Sequence, residues 1–280
     1  MRNLILVTAI FLWGIQINAQ DMVCSAQDKA AFERRMEEIK ALAQPSYGDT
    51  LATIGKTFLG TPYVAQTLEV GEKESLVINL QGLDCTTFVE NVLTLGYLLS
   101  RGEASLDAFA RILETIRYKD GKLKGYPSRL HYFSEWIANN DKKGIVKDIT
   151  QELGGNPIMK DINFMSSHRD LYPFLSDDNN YLKIKASERY LNGRPIYVLA
   201  KDKIASKEHL LKTGDIIALA TSIEGLDVTH TGFAIRMPDG RIHLLHASSA
   251  NEKVEVSRLP LTDYLNAIRH NTGIMVARPL

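Results

Sequence analysis

Residue types able to do covalent chemistry fall at three places in this 280-residue chain. The first is Gly82-Leu83-Asp84-Cys85-Thr86-Thr87-Phe88-Val89-Glu90, where a cysteine follows Gly and Asp. Apolar residues at 88, 89, 92, 93, 95 and 99 then run close to helical spacing. Asp84 is a good N-cap, which sets Cys85 among free N–H groups at the positive end of the helix dipole. That setting lowers a thiol's pKa and offers donors to an oxyanion, two needs of a nucleophilic cysteine. A free cysteine on an apolar helix is as often an inert core residue, and this stretch alone leaves the two readings even.

The other two places are His230, in Thr229-His230-Thr231-Gly232, and His246, in His243-Leu244-Leu245-His246-Ala247-Ser248. They fall on the two strands of one expected hairpin, so their side chains could face each other. His243, an odd number of positions from His246, should point the opposite way. Gly232 would let a substrate backbone approach His230. A cysteine at a helix start, a histidine on a strand and a polar group orienting it make a nucleophile, base and orienter. A Cys/His/His zinc site is the second reading, although the close ligand pair usual in zinc sites is missing. Histidines that merely satisfy a β core would explain one of them but not the set.

The elements that must position these groups can be read in order. Residues 27–43 form a charged helix closed by Pro45, and 50–58 a second short helix. The turn Leu59-Gly60-Thr61-Pro62 delivers Tyr63, which either packs half-buried or presents its hydroxyl to the site. Residues 70–79 read as a hairpin-like excursion, the Cys85 helix ends near Arg101-Gly102, and 106–118 is another amphipathic helix. Two loops follow, at 120–136 and 161–175. The first carries Ser128-Arg129-Leu130-His131-Tyr132-Phe133, suited to a wall that binds a carboxylate-bearing ligand. The same residues fit, slightly better, a helix start whose aromatics pack while Arg129 pairs a carboxylate. The second carries Asn163-Phe164-Met165-Ser166-Ser167-His168. Asp177-Asp178-Asn179-Asn180 lacks the spacing and closing Glu of a calcium loop and reads as a turn. Strands at 195–200, 216–220, 229–235, 242–248 and 273–280, joined by tight turns, imply an antiparallel sheet. Helices early, strands late and no βαβ alternation give an α+β fold in one domain.

Lys plus Arg and Asp plus Glu number 33 each, so nothing points to nucleic acid or an anionic membrane as partner. Met1-Arg2-Asn3, the apolar run from 4 to 15 and Asn18-Ala19-Gln20 read as a signal peptide over residues 1–20, cleaved near Gln20. The run is too short to span a bilayer, and no later one is long enough. The mature chain is therefore expected outside the cytoplasm, in the periplasm. Of the two cysteines, Cys24 lies just past the cleavage point in a segment expected to fray, and Met22-Val23 does not suit a lipid-attachment cysteine. Neither a disulfide nor a lipid anchor is expected, so Cys85 should be free.

Taken together, Gly60-Thr61-Pro62-Tyr63, Leu83-Asp84-Cys85-Thr86-Thr87-Phe88, Gly214-Asp215-Ile216, His230-Thr231-Gly232 and His246-Ala247-Ser248 resemble, in order, the NlpC-type peptidoglycan cysteine hydrolases, papain-like enzymes of bacterial cell walls. The resemblance spans roughly residues 51–248. It implies Cys85 as nucleophile, His230 as general base and then acid, His246 as orienter, and the Tyr63 hydroxyl with the Cys85 N–H as oxyanion donors. Two departures stand out: Thr86-Thr87 replaces the usual Ser-Gly, and an inserted segment of about 119–211 is long. With its two loops the chain resembles the N-acetylmuramoyl-L-alanine amidase-like branch, which is associated with cutting between the muramic lactyl group and L-Ala in anhydro-muropeptides. That branch implies a single catalytic domain over 21–280 and inserted loops that wall a pocket. Arg129, His131, Ser167 and His168 would be substrate contacts. It also implies a monomer acting on peptidoglycan fragments without metal or other cofactor. The commoner activity of the wider family, an endopeptidase cutting D-Glu to diaminopimelate, is the alternative.

Overall fold

A computed structural model describes residues 22–40 and 46–280. The expected signal peptide lies outside the described residues. Along the chain come β1 (Met22–Cys24), α1 (Ala26–Lys40), α2 (Tyr47–Lys56), β2 (Leu76–Ile78), α3 (Cys85–Ser100), α4 (Leu106–Arg117) and α5 (Phe133–Lys142). Next are β3 (Val146–Asp148), β4 (Asn156–Ile158), α6 (Phe164–Ser167), α7 (Asp178–Asn192), β5 (Ile196–Ala200) and α8 (Ile204–Lys207). The last part holds β6 (Ile216–Thr221), β7 (Val228–Arg236), β8 (Ile242–Ser248), β9 (Lys253–Val256), α9 (Leu261–Asn266) and β10 (Asn271–Pro279). The main sheet runs β4-β5-β10-β6-β7-β8-β9, with β3 also on β10, and every pairing in it is antiparallel. The expected α+β arrangement of helices and an antiparallel sheet is present. Among the described residues no helix is long and apolar enough to cross a membrane.

Helix α3 holds the molecule's centre because it is apolar on nearly every face. Phe88, Val89, Val92, Leu93, Leu95 and Leu98 are fully buried, packed against α2, α4, β7 and β8. Phe88 sits one turn into the helix between Phe58 and Phe233, with ring centroids 6.0 Å away on each side. Burying side chains of this size stabilises by about 1.5–3 kcal/mol each. The opposite sheet face buries Leu199, Ile217, Leu219, Leu244 and Ile274 under Leu261 and Leu265 of α9. With both faces covered, β6 is buried throughout, which explains its unbroken apolar sequence.

A polar knot runs through the core: Glu90 of α3 accepts from Arg117 at 2.7 Å, and both side chains are 2% exposed. Trp136 Nε1 donates to the same carboxylate, and Arg117 also donates to the Val77 carbonyl. The Gly214-Asp215 motif is a strut. Gly214 adopts φ +90°, and a Cβ there would lie 2.3 Å from the Gly48 backbone. Asp215 grips Arg278 of β10 with two bonds of 2.7 and 2.8 Å.

Four expectations need correction. Residues 70–79 form no hairpin: β2 pairs in parallel with β1, placing Cys24 opposite Ile78. Asp28 at the start of α1 accepts the Leu80 N–H at 2.9 Å, so this N-terminal stretch is fastened rather than frayed. The segment 119–211 is more than loops. It contributes α5, α7, β3 and β5, and the last two extend the main sheet through β10. Asp177 does not close a turn but caps α7, accepting the Asn180 N–H. That helix escaped notice because it buries only Ile184 and Glu188, leaving almost no apolar stripe to read.

Candidate active site

Asp84 and Thr87 fix where Cys85 stands. The Asp84 carboxylate accepts the Thr87 N–H at 2.7 Å while the Thr87 hydroxyl accepts the Asp84 N–H at 2.9 Å, a reciprocal capping box. The Thr at 87 is thus a stronger cap than the glycine it replaces in the expected motif. Cys85 becomes the first helical residue, with an N–H that has no acceptor within the helix. The loop carrying Tyr63 is stitched on both sides: Tyr63 N–H donates to Glu252 O, Val64 N–H to Leu83 O, and Leu83 N–H to Pro62 O. This brings the phenol near Cys85 and Asp84, and burial, with smaller contributions from these two neighbours, holds the Tyr63 pKa up at about 12. At neutral pH Tyr63 is therefore a proton-bearing donor.

Strands β7 and β8 pair with Phe233 opposite Leu245, which sets Gly232 against His246. The Gly232 side is full: a Cβ there would lie 2.7 Å from the Leu245 carbonyl and 2.8 Å from His246 Cβ. The glycine thus admits the partner strand, not a substrate backbone as expected from sequence. A β-bulge between Leu219 and Ala220 of β6 lies at His230, and such bulges re-aim side chains. His230 Nε2 and His246 Nδ1 are 2.6 Å apart, which leaves Nδ1 as the free nitrogen of His230. His243 faces the other side, bonded to Ser257 O and Asp239.

Burial drives Cys85, His230 and His246 toward their neutral forms. The Cys85 thiol is pushed up to about 12 by burial and by the Asp84 carboxylate. The neighbouring polar groups of Thr231 and Thr86 oppose this shift without cancelling it. The lowered thiol pKa expected from the helix start is overturned. Burial lowers His230 to about 4. His246 falls to about 3 through burial and its histidine neighbour, against the pull of Glu255. Both shifts favour the neutral thiol and the neutral imidazole over the charged pair.

Cys85, Thr86, His230 and Thr231 line a cavity of about 140 Å³ together with His131, Tyr132, Met165, Tyr172 and Asp227. A larger cavity of about 650 Å³ between α5 and α7 is lined by neither Cys nor His. Among the described residues no group of three His, Cys, Asp or Glu side chains is placed to hold a metal ion, and both cysteines are free thiols.

The expected substrate contacts divide. His131 lines the cavity. Its Nε2 donates to Tyr126 O at 2.9 Å, which leaves Nδ1 as an acceptor. Burial and the nearby Arg129 keep the ring neutral. Arg129 is not presented to the cavity. Its side chain is 6% exposed, ion-paired with Glu69 and with Glu74 at 3.5 Å, and lies over the Tyr126 ring. The pairing reading of its sequence context is the one realised. Ser167 and His168 are exposed and do not line the cavity. His168 stacks on Phe164 at 4.2 Å and bonds its carbonyl. Their neighbour Met165 points inward instead, held through its N–H by the Tyr132 hydroxyl at 2.9 Å, which donates to Glu188.

Residues 53–274 match the AmiA-like family, described as N-acetylmuramoyl-L-alanine amidase-like. The chain belongs to this family. Among solved structures it is similar to an N-acetylmuramoyl-L-alanine amidase from Bacteroides uniformis ATCC 8492, 41% identical over 84% of this chain and 99% of that one, with a TM-score of 0.80. A Bacteroides fragilis protein described as a candidate xylanase is 42% identical over 80% and 98% of the two chains, TM-score 0.76. A Legionella pneumophila protein, 23% identical over 91% and 95%, TM-score 0.66, shares the fold. No curated protein matches.

Two residues of this candidate site escaped the sequence reading. Asp227, 1% exposed, lines the cavity and accepts the Ser134 N–H at 2.7 Å. Glu255 stands opposite His246 on β9. Asp227 sits in a loop and Glu255 in the unrecognised β9, so neither stood out from ordinary surface carboxylates.

Proposed function

We propose that the chain hydrolyses the amide bond between the lactyl group of (anhydro-)N-acetylmuramic acid and L-Ala of the stem peptide, through a thioester on Cys85. The observation that carries this is Cys85 and His230 at the wall of one cavity, with His246 buried behind His230, in a chain of an amidase-like family, supported by the name of the Bacteroides uniformis relative. A xylanase would need two carboxylates flanking a glycosidic bond. This cavity is lined by one, Asp227, whose oxygens already accept two backbone N–H groups.

In the proposed cycle, Cys85 Sγ attacks the lactyl carbonyl as its proton passes to His230 Nδ1. The oxyanion meets the Cys85 N–H and the Tyr63 hydroxyl. His230 then protonates the departing L-Ala nitrogen, and water deprotonated by His230 opens the thioester. Each step moves one proton through one imidazole, and no metal or other cofactor is invoked. The papain-like, NlpC-type geometry is part of the proposal, as is a single catalytic unit over 21–280. So is a monomeric protein exported by its signal peptide and working in the periplasm on peptidoglycan fragments. Of the suggested substrate contacts we retain His131 and add Met165 and Tyr172.

Mass spectrometry of products from an anhydro-muropeptide and from its free stem peptide tests this reading. Release of intact peptide from the sugar-bearing substrate alone supports it. Cleavage inside the free peptide would move the assignment to a D-Glu-to-diaminopimelate endopeptidase.

A further inference from the structure

His246 is fully buried, yet only one of its ring nitrogens has a partner. Nδ1 meets His230 at 2.6 Å, while Nε2 is a buried atom with no hydrogen bond. The nearest carboxylate oxygen is Oε1 of Glu255, 3.9 Å away. The pairing of β8 with β9 places Glu255 directly opposite His246, and cross-strand partners stand close enough for their side chains to interact. Glu255 is 18% exposed, and Asn251 Nδ2 holds its Oε1 at 2.6 Å. A small side-chain rotation would close the remaining gap.

Tautomer logic gives this juxtaposition a consequence. A His230 that takes the thiol proton must present a bare Nδ1, so its proton sits on Nε2 and is donated to His246 Nδ1. Neutral His246 then carries its proton on Nε2, the atom aimed at Glu255. We infer that Glu255 is a positioning residue that fixes the His246 tautomer, and through it the orientation of His230. This rests on the reading of Cys85 and His230 as nucleophile and base. When Sγ attacks, its proton moves to His230 Nδ1 and the ring becomes positive. His246 stays neutral and Glu255 stays an anion, so the new charge faces a carboxylate across one imidazole. The titratable groups facing His246 are His230 from β7, Glu255 from β9 and Tyr264 from α9, its ring centroid 5.6 Å away, with Cys85 of α3 acting through His230.

The test uses the full chain labelled with 15N-histidine, followed by NMR and by kinetics. In the wild type, His246 should show an unprotonated Nδ1 and a protonated Nε2. Glu255→Gln keeps an acceptor but no charge, and Glu255→Ala keeps neither. The expected losses in kcat are graded, the alanine variant falling about tenfold, well short of the roughly 10⁴-fold loss on disabling a directly bonded orienter. KM should stay unchanged and the acid limb of kcat/KM should move to lower pH. A His246 protonated at Nδ1 in the wild type would overturn the inference. So would variants that lose melting temperature alone, with wild-type kcat and pH profile, since that marks a purely structural carboxylate. Failure of the cysteine reading has its own signature: turnover that survives Cys85→Ala.

Discussion

The two walls of the cavity are built by different rules. On one side Cys85 and His230, with His246 buried behind His230, are placed by a helix cap and by strand register. Each follows from residues within a few positions of it, such as the capping box of Asp84 and Thr87 or the Gly232 that admits β8. On the other side His131, Met165 and Tyr172 are placed by contacts between residues far apart in sequence. Arg129 reaches Glu69 and Glu74, and Tyr132 bridges Glu188 of α7 to Met165 of α6. If the proposed roles hold, chemistry sits on short-range structure and the wall on long-range structure, and substitutions on the two sides should separate kcat from KM.

The largest effect belongs to the first side. Cys85→Ala should abolish turnover, a loss of 10⁴-fold or more in kcat by analogy with other nucleophile deletions. Its thermal midpoint should stay near wild type, because a small residue at the first helical position leaves the capping box intact. Product release and a melting curve measure both. A variant that unfolds would make Cys85 a structural residue and dissolve the contrast.

Next comes Arg129→Ala on the second side, where the expected damage is to the fold. Removing the guanidinium strands Glu69 and Glu74, whose side chains are 15% and 1% exposed. Breaking one partner from a buried pair costs about 3–5 kcal/mol. The unfolding free energy from denaturant titration should fall by that amount. A stable variant with a raised KM would instead return Arg129 to substrate recognition.

How much of this was legible in the sequence follows the same division. Apolar spacing identified α3 and α4, short apolar runs bounded by turn residues identified β6, β7 and β8, and the trio could be named because cap and register are local signals. The helix α7 was missed because it packs through Ile184 and the hydrogen-bonded Glu188 rather than along an apolar stripe. The strands β3, β4 and β9 are three or four residues long, too short for alternation to declare itself. The direction of the Cys85 shift was misjudged because burial and the charge of its own cap outweigh the helix start. That is a property of packing depth rather than of neighbouring residues.

Acidity probes the catalytic side without substitution. His230 is lowered from 6.5 to about 4, so below about pH 6.5 the unfolded chain binds this proton before the folded one does. The stabilisation is full above that pH and is lost as pH falls toward 4, a difference on the order of 3 kcal/mol for His230. His246, lowered to about 3, adds in the same direction. Melting temperature should therefore drop across this window, while kcat/KM stays flat between about pH 6 and 8 and falls only below about pH 5. An acid limb near pH 6.5 would mean that His230 titrates as if exposed.

The smallest effects sharpen the wall itself. His131→Ala removes an acceptor inside the cavity, and losing one hydrogen bond of about 1 kcal/mol should raise KM about fivefold with kcat little changed. His168→Ala removes an exposed ring whose bonds are to its own helix turn. Stability should stay within about 0.5 kcal/mol and KM within about twofold. The two histidines lie in the two loops that the sequence marked as equivalent walls, and their kinetic difference measures what folding added. Met165 faces inward because Tyr132 and Glu188 anchor its backbone, and that anchoring turns His168 outward. Equal KM changes in the two variants would mean that bound substrate reaches past Met165 to the exposed face of α6, and the wall would have to be redrawn to include it.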